Sequence, residues 1–174
     1  GSLFFQSLLD NHDAILQLPG ILNIEKFIQK IKKNLSHDLI ADKFINFFPQ
    51  FFDSRKNQIH RMDQLGDSKN EFFEVSKEIF KKELINLLNQ NSQINIASII
   101  EKIHLAYFYT ISNKKKSKHK VISIHIHHAK RLEKVFHYFD KYDTKTFFIE
   151  RDILPAFASE LKGWERYLKL DTSE

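Results

Sequence analysis

The sequence predicts an all-α protein, with helix–loop–helix units packed as one helical domain over residues 3–170. Three observations predict it. Only 4 Gly and 3 Pro occur in 174 residues, too few to punctuate an all-β chain that turns about every 8–12 residues. Apolar residues recur at helical spacing along most of the chain. Between those runs lie polar clusters with turn chemistry, such as residues 89–93 (Asn, Gln, Asn, Ser, Gln). At this length roughly 70% of the unfolded surface can be buried without a disulfide or metal. The domain reads as one core, with two lobes, 3–66 and 70–170, as the alternative division.

Taken in order, residues 3–9 predict a short helix, and 10–20 a loop closed by Pro19 and Gly20. Leu22, Ile24, Phe27, Ile28 and Ile31 have the spacing of one helix face. Ser36, His37 and Asp38 can cap the next helix, which carries Leu39 through Phe52 and is kinked or broken at Pro49. Residues 70–88 read as a strong amphipathic helix through Phe72, Phe73, Val75, Ile79, Phe80, Leu84, Leu87 and Leu88. Helix resumes over 94–109. Residues 121–127 alternate with period two and are the single strand-like stretch; they either pair across a dimer or begin the next helix. Helix is expected again over 129–139, then a loop over 140–146 and a last helical stretch over 149–168, with Pro155 in its first turn or dividing it.

Composition narrows function. The chain has no Cys, which excludes a disulfide framework, a thiolate nucleophile and a Cys-bound zinc. No apolar run reaches the ~18 residues of a membrane span, so an intracellular, cytoplasmic location is expected, with membrane association as an added option. The net charge is +5. Much of the local positive charge is a basic loop insertion at 112–120, where Lys114, Lys115, Lys116, Lys118 and Lys120 follow one another with no acid between them. Such a run can attach to anionic lipid or another polyanion, each lysine contributing ~1 kcal/mol at an anionic surface. Nucleic acid is the weaker fit, because no aromatic side chains interleave with the lysines.

The 17 Phe include the adjacent pairs Phe47-Phe48, Phe51-Phe52, Phe72-Phe73 and Phe147-Phe148. Their ordinary use is to widen the apolar stripe of a core helix; the other is to line a groove for a partner helix. Histidines gather at His125, His127 and His128, with His119 and His137 near. A transition metal could use such imidazoles, but no carboxylate lies among them and no HExxH spacing occurs. Glu71, Glu74 and Glu78 would share one helical face. No Gly-rich phosphate loop or GxSxG elbow is present, so the expected protein is non-enzymatic and needs no cofactor.

One pattern repeats. Apolar pairs, then Asp or Asn, then a polar loop, occur before Asp10, Asp53, Asn89 and Asp140, which lie 43, 36 and 51 residues apart. On these residues, and best over 132–157, the chain resembles the EF-hand superfamily. The resemblance implies paired hands joined through Leu22, Ile59, Ile94 and Phe148. A calcium loop needs oxygen ligands at positions 1, 3, 5 and 12 and Gly at 6. Here positions 1, 3 and 5 hold Asp10, His12 and Ala14; Asp53, Arg55 and Asn57; Asn89, Asn91 and Gln93; and Asp140, Tyr142 and Thr144. The degenerate hands would therefore be calcium-independent scaffolds, with Asp140, Asp143 and Asp152 as weak metal candidates. The implied partner is another protein, a helical segment held by Phe136, Phe139, Phe148 and Phe157 in the core or groove of the C-terminal pair. Residues 76–85, 93–96 and 152–157 also resemble pieces of an RGS domain, a helical bundle that binds a G-protein α subunit. Asn95 would match that family's interhelical Asn.

Overall fold

The structure is a computed structural model that describes residues 2–10, 12, 14–31, 36–56, 65–90, 95–112, 121–126, 129–150 and 152–168. Helices dominate it: α1 (Ser2–Leu8), α2 (Ile24–Ile31), α3 (His37–Phe47), α4 (Lys77–Asn89), α5 (Ile96–Ser112), α6 (Ala129–Phe136) and α7 (Ile153–Leu168). Two short strands, β1 (Ile15–Gln17) and β2 (Val121–Ser123), form a parallel pair with Leu16 opposite Ile122. The fold is thus broadly helical but not strictly all-α. The alternation at 121–123 is satisfied within the chain, by a segment expected to be loop. Residues 15–17 are too few to show a period, which is why they gave no strand signal.

The helices start where local chemistry lets them. The Ser36 hydroxyl accepts from Leu39 N at 3.3 Å and the Ser76 hydroxyl from Ile79 N at 3.2 Å. Asn95 Oδ1 accepts from Ser98 N at 2.8 Å and opens α5 in the same way. Pro49 ends α3: Phe48 sits at φ −125° and ψ 55°, and the chain continues as a 3-10 turn from Pro49 to Phe51. The helix expected over 70–88 begins only at Lys77. Ahead of it the chain is extended. Ser54 N donates to Phe73 O at 3.1 Å, Val75 N to Phe52 O at 2.9 Å, and Leu65 and Glu71 exchange two backbone bonds at 3.0 Å. Those non-local bonds, and the cap at Ser76, take residues 71–75 out of the helix that their apolar spacing suggests. Glu71 and Glu74 therefore do not share a helical face with Glu78.

The core is aromatic. α3 packs on α4, α4 on α5, and α2 on both α3 and α6. Phe27, Phe44, Phe48, Phe51, Phe52 and Phe80 are fully buried. Phe44 lies at their centre, with ring centroids 5.4 Å from Phe27, 5.1 Å from Phe48 and 5.4 Å from Phe80. Tyr107 joins this cluster from α5 and donates to Phe51 O at 2.5 Å. The pairs around Pro49 therefore serve the core. Phe72 does not: it is exposed, with the Arg55 guanidinium 4.3 Å from its ring centroid.

Candidate interaction surface

After α6 the chain leaves the core in steps. Val135 is buried, and Tyr138 and Phe139 pack half-buried against the core. Tyr142 N then donates to Phe139 O at 2.8 Å and turns the chain outward. From Asp140 to Trp164 every described residue is exposed except Ala156. Residues 143–150 carry no regular secondary structure, and Phe147 reaches back only as far as Phe5, 6.2 Å between ring centroids. α7 follows, opened by Asp152, whose carbonyl accepts from Ala156 N at 3.1 Å. Pro155 fits inside the first turn because its missing N–H has no intrahelical acceptor there.

α7 is amphipathic and faces water with its apolar side. Ile153 is 80% exposed, Leu154 79%, Phe157 62%, Leu161 46% and Trp164 51%. Leu154, Phe157, Leu161 and Trp164 are spaced three, four and three apart, the a and d positions of a heptad seam. A scattered exposed apolar residue is ordinary, but a contiguous stripe marks an interaction surface. Glu160 borders the seam, and its carboxylate accepts from the Trp164 indole Nε1 at 3.3 Å. Gly163 sits away from the seam with open space where a Cβ would be.

The four phenylalanines expected to bind a partner divide between two places. Phe139 packs on the core and Phe136 is 37% exposed at the end of α6, whereas Phe148, 68% exposed, and Phe157 stand out on the arm. Leu154, Leu161 and Trp164, absent from that expectation although with Phe157 their 3-4-3 spacing is legible in the sequence, accompany Phe157 on α7. Lys114, Lys115, Lys116, Lys118 and Lys120 lie outside the described residues, as do Ile59, Ile94, His119, His127 and His128. Leu22 is buried in the core.

Asp140, Asp143 and Asp152 are exposed, and Asp143 pairs with Lys145 at 2.9 Å. Among the described residues no group of three or more His, Asp or Glu gathers as a metal site would require. His125 has a structural use. Its Nδ1 donates to Gln6 Oε1 at 2.9 Å and its carbonyl accepts from Leu22 N at 2.8 Å. Gln6 donates in turn to Leu18 O, and Gln17 to Gln6 O, so this polar belt fastens α1 to β1. A shallow pocket of about 160 Å³ lies between α2 and α6, lined by Glu25, Ile28, Gln29, Lys134, Val135 and Tyr138. It is crossed by the Lys134–Glu25 ion pair at 3.2 Å. Among the described residues no helix is long and apolar enough to cross a membrane. No protein-family model, curated protein or solved structure matches this chain.

Proposed function

We propose that this protein is a non-catalytic interaction module whose binding element is α7, a helix offered to a helical partner. The observation that carries the reading is the exposed seam Leu154, Phe157, Leu161 and Trp164. The arrangement inverts the usual helix-in-groove picture: here the module supplies the amphipathic helix rather than the groove. Helix stability argues the same way. An isolated helix near 16 residues is marginal in water, and Gly163 weakens it further. A partner that buries the seam would supply what local propensity does not. Glu160 and Glu165 fall at the g and e positions beside the seam in sequence, so a partner helix with basic flanks suits it best.

Trp164 is the only tryptophan in the chain and therefore a built-in reporter. The test is a fluorescence titration with a synthetic heptad helix carrying Leu at a and d and Lys at e and g. Trp164 emission is expected to shift to the blue and saturate. The same helix with Glu at e and g should bind at least tenfold more weakly, and Leu161→Glu should remove the response. If neither helix moves the emission, α7 is not a helix-binding element.

A further inference from the structure

We infer that the pocket between α2 and α6 is a binding site for a guanidinium group, and that Lys134 stands in it as an internal substitute for that group. The site is built by α2, α6 and the turn after α6, and it does not rest on the reading of α7.

Size sets the class of ligand. The volume is about 160 Å³, below the ~300–1,000 Å³ of sites for drug-sized molecules. The pocket therefore takes one group the size of a side-chain end. Its chemistry sets the charge. The Glu25 side chain is only 12% exposed, and a carboxylate withdrawn that far from water needs a positive partner. Ile28 and Val135, both buried, supply the apolar part of the lining. Lys134 Nζ meets the carboxylate at 3.2 Å, yet the lysine side chain is 68% exposed. An ion pair with one long, exposed partner is screened and gives up side-chain entropy, so it is weakly held. A better-fitting cation displaces the lysine readily.

Two features favour a guanidinium over an ammonium. Glu25 and Gln29 lie one turn apart on α2, and Gln29 Nε2 donates to Glu25 Oε1 at 3.4 Å. A carboxylate and an amide thus stand side by side, and a planar fork of N–H donors can address both, as a point-like ammonium does not. Tyr138, four residues after Lys134 in the 3-10 turn His137–Phe139, adds an aromatic wall. A guanidinium is weakly hydrated and lies well against an aromatic face, whereas an ammonium loses more hydration on entering. The group can arrive on an arginine of another polypeptide or as a small guanidino compound, and the test separates the two.

The full chain, isotope-labelled, is titrated at constant ionic strength with methylguanidinium, with methylammonium and with acetyl-Gly-Arg-Gly-amide. The amide signals of Glu25, Ile28, Gln29, Val135 and Tyr138 should move with methylguanidinium and saturate in roughly the millimolar range, as one small group allows. Methylammonium should bind at least fivefold more weakly. Tighter binding of the peptide than of methylguanidinium assigns the group to an arginine of a polypeptide; equal or weaker binding assigns it to a small compound. Lys134→Met keeps the stem and removes the competitor, so it should tighten methylguanidinium binding by up to about fivefold. Glu25→Gln should weaken it at least tenfold, with a melting curve as the check on folding. If Glu25→Gln does not fold, Lys134→Met still decides. No movement of those signals in either the wild type or Lys134→Met overturns the site. An equal response to methylammonium overturns the preference for guanidinium, and an unchanged affinity in Lys134→Met overturns the role given to Lys134.

Discussion

His104 shows how one residue ties the small sheet to the helical core and makes stability depend on pH. It is 2% exposed on α5, beside the Ser123 backbone of β2. Its Nδ1 lies 2.7 Å from Ile100 O. A carbonyl can only accept, so Nδ1 carries the proton of the neutral ring and Nε2 is bare. Burial pushes the pKa down to about 4, and the nearby Ile100 and Ser123 carbonyls offset part of that. The folded pKa lies below the unfolded value, so the unfolded chain binds the extra proton. The stability is fully present above about pH 6.5 and is lost as pH falls toward 4, by roughly 3 kcal/mol for this one group. Urea midpoints at pH 7, 5.5 and 4.5 should fall steeply for the wild type and much less for His104→Phe. Equal slopes would mean that His104 is not the group responsible. The sequence showed a histidine inside an apolar helix but could not show that a strand pair covers it, because the segment from 15 to 17 reads as loop.

At the scale of elements, legibility followed the range of the forces involved. α2, α3, α5 and α6 are set by apolar spacing together with caps and breakers within a few residues, and all were readable; Ser36 and Pro49 delimit α3 as expected. α4 starts later than its apolar spacing predicts, because backbone bonds with Ser54, Leu65 and Phe52 hold residues 71–75 extended, and Ser54 and Phe52 are distant in sequence. α7 was readable as a helix, but its exposure was not, because an apolar stripe reads the same whether or not the fold covers it. Its composition still makes a prediction. Gly163 costs an exposed helix interior about 1 kcal/mol relative to Ala, and nothing stands where the methyl would go. Gly163→Ala should raise the helical circular dichroism signal of the dilute chain and tighten association through α7 several-fold. Weaker association would mean that the Gly163 face, not the Leu154–Trp164 seam, is the one in contact, since small residues also permit close helix approach.

For the whole molecule, the sequence predicts one domain over 3–170, or lobes 3–66 and 70–170, and burial adds a distinction between a packed body and an arm whose side chains from Asp140 to Trp164 are exposed but for Ala156. The apolar side chains of α2 to α6 close on one another around Phe44, and those described between Asp140 and Trp164 are exposed, Ala156 excepted. Phenylalanine thus serves two ends that composition alone cannot tell apart: Phe27, Phe44, Phe48, Phe51, Phe52 and Phe80 fill the body, and Phe147, Phe148 and Phe157 stand exposed on the arm. If that division is right, the body does not need the arm in order to fold. Among the described side chains, a chain ending at Tyr142 loses exposed ones, the half-buried Ala156 and the Phe5–Phe147 ring contact, worth about 0.5–1.5 kcal/mol. At about 2–4 °C per kcal/mol for a domain of this size, its melting temperature should fall by no more than about 6 °C, with the transition still cooperative. A fall well beyond that, or loss of cooperativity, would mean that residues 143–168 contribute to the core. The body would then depend on a surface that the exposed side chains of α7 do not reveal, and the seam would be an internal packing face rather than a site for a partner.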